Sequence, residues 1–291
     1  MVTPGMLQNP AVRAWLDGIE PAWTLLDQDS FDALNGPPSP TDGPIQLAVD
    51  LAIEEIHLSA VSRNALIVLR AAAEGSGLKT TATGNLARSV VAEMCEQFSW
   101  PGFDSESSFG SQRVINEPDF LPLYFIRNVA EAAQLIRRQK GFLKTTPAGR
   151  KSLEQPYIQS LQAILFHIAF WHLDIGYFSY DFLHGWPQRD IGVVLWSLSV
   201  AATDWQSPKS LSRLCTIPII GVLEGRQWDM ASHAMEARIL RPLTWFGLIE
   251  YRREAIEGSR FDRRHFYRKT ALFDRFLLFS VGLEGASAML H

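Results

Sequence analysis

At 291 residues the chain is long enough for one large domain or two to three small ones, and its 47% hydrophobic content is that of a globular protein. Its two cysteines, Cys95 and Cys215, stand far apart with no C-x-x-C spacing, which removes a disulfide framework and fits structural thiols in a reducing compartment. The net charge of −4 argues against a simple DNA binder, yet it hides an asymmetry: residues 1–60 carry nine acids against one base, Arg13, so that this segment stands at −8 and the remainder at +4.

No charged-then-apolar signal pattern opens the chain, and no run of about 18 apolar residues suggests a membrane span. The expectation is a soluble, cytoplasmic protein with no membrane partner. Residues 1–57 read as an acidic arm. A short helix over 11–17 is closed by Gly18, and the Pro- and Gly-rich stretch 35–44 breaks regular structure. Trp15, Trp23, Leu25, Leu26 and Phe31 make the arm too apolar for a disordered tail, so it is expected to pack onto the body. Residues 47–56 read as a helix.

Residues 58–155 read as a first compact unit. The periodicity of Val61, Ala65, Val68, Leu69 and Ala72 predicts a helix over 61–73, with Gly75 after its end. A strand at 78–81 follows. Thr83 is placed to cap a helix over 85–98 that buries Leu86, Val90 and Met94. After a long linker, Pro118 and Asp119 open a third helix running to about Gln134. Residues 135–146 then read as strand, glycine-containing turn, strand, and Pro147 opens a final helix.

Residues 156–187 are rich in aromatic residues. They start as a helix apolar nearly all round, which predicts a buried central segment. Residues 188–291 repeat the first pattern: a helix over 190–205, a short helix after Ser207, and a third helix over 229–246. A strand from Gly247, a longer turn over 257–264, a return strand to Thr270 and a closing helix over 271–281 complete it.

One short sequence ties these readings together. Leu78-Lys79-Thr80-Thr81-Ala82-Thr83-Gly84 returns as Leu143-Lys144-Thr145-Thr146-Pro147-Ala148-Gly149, with a fainter copy at 267–273. Each copy is a β-prone segment that runs into a helix start. In the order above, the first copy is the first strand of its unit and the second copy is the third strand, so the two should be neighbours in one small sheet.

The hairpin pattern at 135–149, leucine-isoleucine, basic turn, strand, threonine, x, x, glycine, resembles the wing of bacterial winged-helix proteins. The elements Thr81-x-x-Gly84-Asn85-Leu86, Asn116-Glu117-Pro118-Asp119-Phe120, Tyr267-Arg268-Lys269-Thr270 and Phe273-Asp274-Arg275-Phe276 are similar to a group of uncharacterised bacterial open-reading-frame proteins, some plasmid-borne. The likeness runs from about residue 58 to 285. It implies a mainly α fold with short β-hairpins, two winged-helix-like units around a central buried helical segment, and nothing catalytic.

Two departures stand against DNA reading in the usual helix-turn-helix manner. The linkers between second and third helices are far longer than the few residues such a turn allows. The third helix of the first unit offers only Arg127, Asn128, Glu131 and Gln134 as polar candidates, where base readout needs several on one exposed face.

The strongest candidate site is the first hairpin. Arg137, Arg138, Lys140, Lys144, Arg150 and Lys151 occur with no acid between residues 132 and 153, and clustered cations are what phosphate neutralisation requires. The opposing reading is a solvated basic hairpin. The second hairpin has Arg260, Arg263 and Arg264 near its tip, but Glu250, Glu254, Glu257 and Asp262 favour internal ion pairs there. Arg238 and Arg241 on the third helix either add to a basic surface or pair with acids. The acidic arm reads either as a phosphate mimic covering the basic hairpins or as a partly packed terminus.

His167, His172 and Asp174 invite a metal reading, but the histidines are five apart, not the three or four that places ligands on one α-helical face. No G-x-S-x-G, H-E-x-x-H or Walker-type loop occurs. The sequence therefore suggests no cofactor, no metal and no enzyme. It suggests a nucleic-acid-binding protein of regulator or accessory type, or alternatively a protein–protein adaptor built on the same units.

Overall fold

The computed structural model describes residues 4–38, 43–103, 115–178, 183, 185–220, 229–255 and 263–284. The fold is mainly α with short antiparallel sheets and hairpins. The chain divides into two compact units, Ala48–Leu173 and Met1–Leu47 with Asp174–His291.

In the unit Ala48–Leu173, the helix Ala60–Ala73 is the spine. Ser59 caps it by accepting the Ser62 N–H, and Val61, Ala65, Val68, Leu69 and Ala72 are buried as their spacing predicts. The helices Leu121–Ala132 and Leu161–His167 pack on it. Asn64, buried on the same helix, donates to Ala60 O and to Ser99 O, both at 2.8 Å, and so fixes the start of the linker.

The three-stranded sheet of this unit runs Leu78–Lys79, Phe142–Thr145, Ile136–Gln139, with antiparallel neighbours. Leu78 faces Leu143 and Lys79 faces Phe142, so the two copies of the repeated sequence are indeed adjacent. Lys140 and Gly141 close the hairpin with φ of 51° and 79°, the pair of positive values that a two-residue turn between twisted strands demands.

The helix expected over 85–98 starts later, at Arg88, and Thr83 does not cap it. The cause is Gly84. Its φ of 88° reverses the chain, so that Thr81 N–H donates to Asn85 O at 2.7 Å and Ala87 N–H to Lys79 O at 2.9 Å. Residues 85–87 are thereby drawn into extended structure, and the Thr83 hydroxyl meets Thr81 instead.

The other unit takes its core from both ends of the chain. Val12, Leu16, Trp23, Leu26, Phe31, Leu34 and Ile45 are buried. Trp23 Nε1 donates to Thr216 O at 3.0 Å, so the acidic arm is packed rather than loose. The helix Ile191–Ala201 is buried from Ile191 to Leu198. Two helix expectations fail here for one reason. Residues 45–47 and 277–279 pair as antiparallel strands, Ile45 facing Phe279 and Leu47 facing Leu277. The helix expected over 47–56 therefore shrinks to Ile53–Leu58, and the closing helix ends at Phe276. The expected third helix over 229–246 is interrupted by a π turn, Glu236–Leu240, before it resumes at Arg241 with Pro242 in its first turn.

The two units share a corner, built residue for residue. A residue with positive φ ends the third helix, Gln134 at 57° in one unit and Gly247 at 74° in the other. The next residue is a leucine whose N–H reaches five residues back, Leu135 to Ala130 O at 2.9 Å and Leu248 to Leu243 O at 3.0 Å. The threonine after the return strand then locks the corner. Thr146 Oγ1 donates to Gln134 O at 2.7 Å, and Thr270 Oγ1 to Gly247 O at 2.7 Å. In the first unit Gly149 sits so close that a Cβ would lie 2.0 Å from Leu135 O.

Thr146 also caps the helix Pro147–Lys151 by accepting Gly149 N–H at 3.0 Å, whereas Thr270 makes no side-chain cap. Thr146→Val should therefore cost about 1–2 kcal/mol and Thr270→Val about 1 kcal/mol. Urea denaturation measures both; a Thr270 variant as costly as the Thr146 variant would contradict the extra cap.

Candidate nucleic-acid interface

Strand alternation sorts the first hairpin into two faces. The registers Ile136–Thr145 and Arg138–Leu143 put those four side chains on the inner face, and Ile136, Leu143 and Thr145 are buried there. The registers Arg137–Lys144 and Gln139–Phe142 put the other four on the outer face, with Lys79 beside Phe142 from the neighbouring strand. Arg137 and Lys79 are exposed, Lys144 and Phe142 are half-buried, and Lys140 projects from the turn. Arg137 and Lys144 stand directly opposite one another, a like-charge pair that weakens a hairpin on its own.

Four of the six cations expected in the first site, Arg137, Lys140, Lys144 and Arg150, have no ion-pair partner among the described residues. The other two are engaged internally. Arg138 belongs to the inner face: its Nε lies 3.3 Å from Glu131 Oε1 and its guanidinium covers Gly84, where a Cβ would sit 2.1 Å from the nearer nitrogen. Lys151 Nζ lies over the Tyr157 ring, 4.0 Å from its centroid.

Sequence reasoning missed Lys79. Its signal is the repeat itself: Lys79 and Lys144 occupy the same position in the two copies, and the antiparallel pairing of the copies puts both on one face. Lys79 also lies in a second acid-free stretch, between Glu74 and Glu93.

The third helix faces mostly inward. Pro122, Leu123, Phe125, Ile126, Arg127, Val129 and Ala130 are all buried. Arg127, one of its four polar candidates, is 3% exposed and grips Glu117, itself 0% exposed, at 2.8 and 2.7 Å. A second contact runs to Glu131 at 3.2 Å. Glu117 Oε2 also accepts the Leu86 N–H at 2.6 Å. The guanidinium is thus committed to the interior.

The second hairpin has a different electrostatic character. Arg268 pairs with Glu250 at 2.7 Å, Arg252 with Glu254 at 2.8 Å and Lys269 with Asp274 at 2.8 Å. Arg252 and Arg268 both stack on Trp205, at 4.6 and 4.8 Å. Arg263 and Arg264 are exposed, with Arg264 across the ladder from Glu254, while Arg260 lies outside the described residues. On the opposite face Glu236 Oε1 meets His265 Nδ1 at 2.6 Å and the Tyr267 hydroxyl at 2.7 Å. Burial, then the Glu236 charge, push the Tyr267 hydroxyl pKa far up, so it stays a donor. Arg238 is 1% exposed and paired with Asp174, which takes it out of any basic surface.

Residues 57–157, which hold the first hairpin and the Glu117–Arg127 pair, match the family described as the Y4jL N-terminal domain. The chain is 28% identical over 138 residues to the uncharacterized protein y4jL of Sinorhizobium fredii, an alignment covering 42% of this chain. The chain spans 63% of the length of that relative. No solved structure matches the chain.

Because Glu117 is the buried counter-charge of Arg127, Glu117→Gln leaves a guanidinium charge in the interior without its partner. The cost should be about 3–5 kcal/mol, read as a lowered urea midpoint of the purified chain. A loss under about 1 kcal/mol would mean that water reaches the pair.

Proposed function

We propose that the protein is a non-enzymatic nucleic-acid-binding protein of regulator or accessory type, built on two winged-helix-like units, which contacts phosphates through its first hairpin. The order helix, strand, helix, helix, hairpin, with the first strand beside the returning strand of the hairpin, supports the winged-helix reading of residues 60–151. In the second unit Gln206 bridges Tyr267 at the position where Leu78 faces Leu143, which supports the same reading there.

The observation that carries the functional reading is the juxtaposition of Arg137, Lys144 and Lys79 on one sheet face without a compensating acid in either contributing stretch. Like charges held opposite one another across a ladder are a cost to the free protein. A bound phosphate backbone relieves that cost. Lys140 at the turn and Arg150 on the following helix are further exposed cations of the same acid-free stretch. Contacts of this kind position a nucleic acid without reading its bases, so sequence specificity is modest.

A second reading, a protein–protein adaptor, has its own support. The third helix turns most of its residues, Arg127 among them, to the interior, and Phe142 stands in the middle of the cationic face. An acidic, partly apolar peptide would satisfy that face too.

A salt titration of binding to generic duplex DNA and RNA separates the two. With four to five phosphates neutralised, log affinity against log salt should fall with a slope of about −3 to −5. Lys79→Ser, Arg137→Ser and Lys144→Ser should each weaken binding across all sequences and reduce that slope by about one. Absence of binding at about 50 mM salt, where non-specific contacts are strongest, would sink the nucleic-acid reading in favour of the adaptor.

A further inference from the structure

The helix Leu161–His167 does not end at His167. It continues as a π turn, Ile168–His172, in which Leu173 N–H donates to Ile168 O at 3.1 Å, five residues back. In an α-helix, residues five apart are separated by about 140° around the axis, which is why their spacing sets His167 and His172 apart in the sequence. The wide turn removes that separation. The two Nε2 atoms lie 2.9 Å apart, and the ring centroids 4.8 Å apart with the planes tilted by 52°.

The pair has a firm base. Trp171 stacks on His167 at 5.8 Å with the planes 13° apart, and Phe166 packs against both Trp171 and the buried Phe170. His172 is exposed and His167 half-buried, so one side of the pair faces solvent. Burial, then the neighbouring His172, lower the pKa of His167 from its ordinary value.

We propose that His167 and His172 form a two-imidazole chelate for a divalent transition-metal ion of the zinc, nickel or copper class, with water in the remaining positions. Two imidazole nitrogens at about 2.0–2.1 Å from one ion are about 2.8–3.4 Å apart for bond angles between a right angle and the tetrahedral value, and the observed separation falls near the short end of that range. In the free pair one ring donates its Nε2–H to the other. Metal binding moves that proton to Nδ1 of the same ring, so both Nε2 lone pairs face the ion with no change in net charge. Imidazole donors select zinc, nickel and copper over calcium and magnesium. Among the described residues no group of three or more His, Cys, Asp or Glu converges. The described residues therefore supply two ligands, and the ion keeps positions for water.

The test uses the full chain and nickel ion alone, by calorimetric titration in a non-coordinating buffer. One ion per chain should bind, His172→Gln should weaken binding at least tenfold, and the exposed His57→Gln should leave it unchanged. Circular dichroism checks that the variants are folded. In the unsubstituted chain, zinc titration should shift the imidazole resonances of two of the seven histidines together, a readout that needs no variant. Unchanged nickel affinity in a folded His172→Gln chain would overturn the proposal. So would zinc shifts confined to other histidines, or no binding at about 1 mM metal.

Discussion

A single buried carboxylate organises the unit Ala48–Leu173. Glu117 has no exposed surface; Arg127 meets both of its oxygens and the Leu86 amide meets one. Three stretches converge there: the residues after the Gly84 turn, the end of the long linker, and the third helix that follows it. An uncompensated charge in an apolar interior costs several kcal/mol, so these stretches are held in one arrangement. The linker thus returns to a defined point, although residues 104–114 lie outside the described ones. The sequences Thr81-x-x-Gly84-Asn85-Leu86 and Asn116-Glu117-Pro118-Asp119-Phe120 are the two halves of this junction, which gives the resemblance they carry a structural meaning.

The threonine corners do for the hairpins what Glu117 does for the helices. Each corner must end a helix, reverse the chain and start a strand within three residues, leaving carbonyls that no helix or sheet partner can reach. A hydroxyl arriving from the far end of the hairpin satisfies them. Hairpin length is then free to vary, since only the two ends are fixed. Thr270 follows Leu248 by 22 positions and Thr146 follows Leu135 by 11, yet the corners agree to about 0.1 Å in the threonine contacts.

What was legible in the sequence follows the range of the interactions. The spine helix, the hairpins and the adjacency of the two repeat copies were readable, because local periodicity, a Lys-Gly turn and threonine before a helix start encode them. The helices over 47–56 and 271–281 were overestimated because Ile45–Leu47 and Leu277–Phe279 pair across more than 200 residues, and no local pattern announces that partner. Arg127 and Arg238 read as surface candidates because charge is normally exposed; their counter-charges, Glu117 and Asp174, lie 10 and 64 residues away. The histidine pair was hidden by the assumption of a uniform helical period, which a π turn breaks. Lys79 joins the basic face only through the antiparallel pairing of the two repeat copies, a long-range contact that local pattern does not encode.

The contrast between the hairpins separates structural cations from available ones. In the second hairpin, Arg252 and Arg268 close on Trp205 and on their own glutamates, so neither the charge nor the aromatic face is left over. In the first, Arg138 and Lys151 are used in the same way, on Glu131 and Tyr157. What remains is Arg137 opposite Lys144, with Lys79 on the next strand. Nothing in the fold requires that arrangement: the outer face of a three-stranded sheet can hold alternating charges at lower cost. A face that keeps its cations apart from its acids is disposed toward an anion from outside, and this physical asymmetry, rather than net charge, is the ground for the proposal that the first hairpin contacts phosphates.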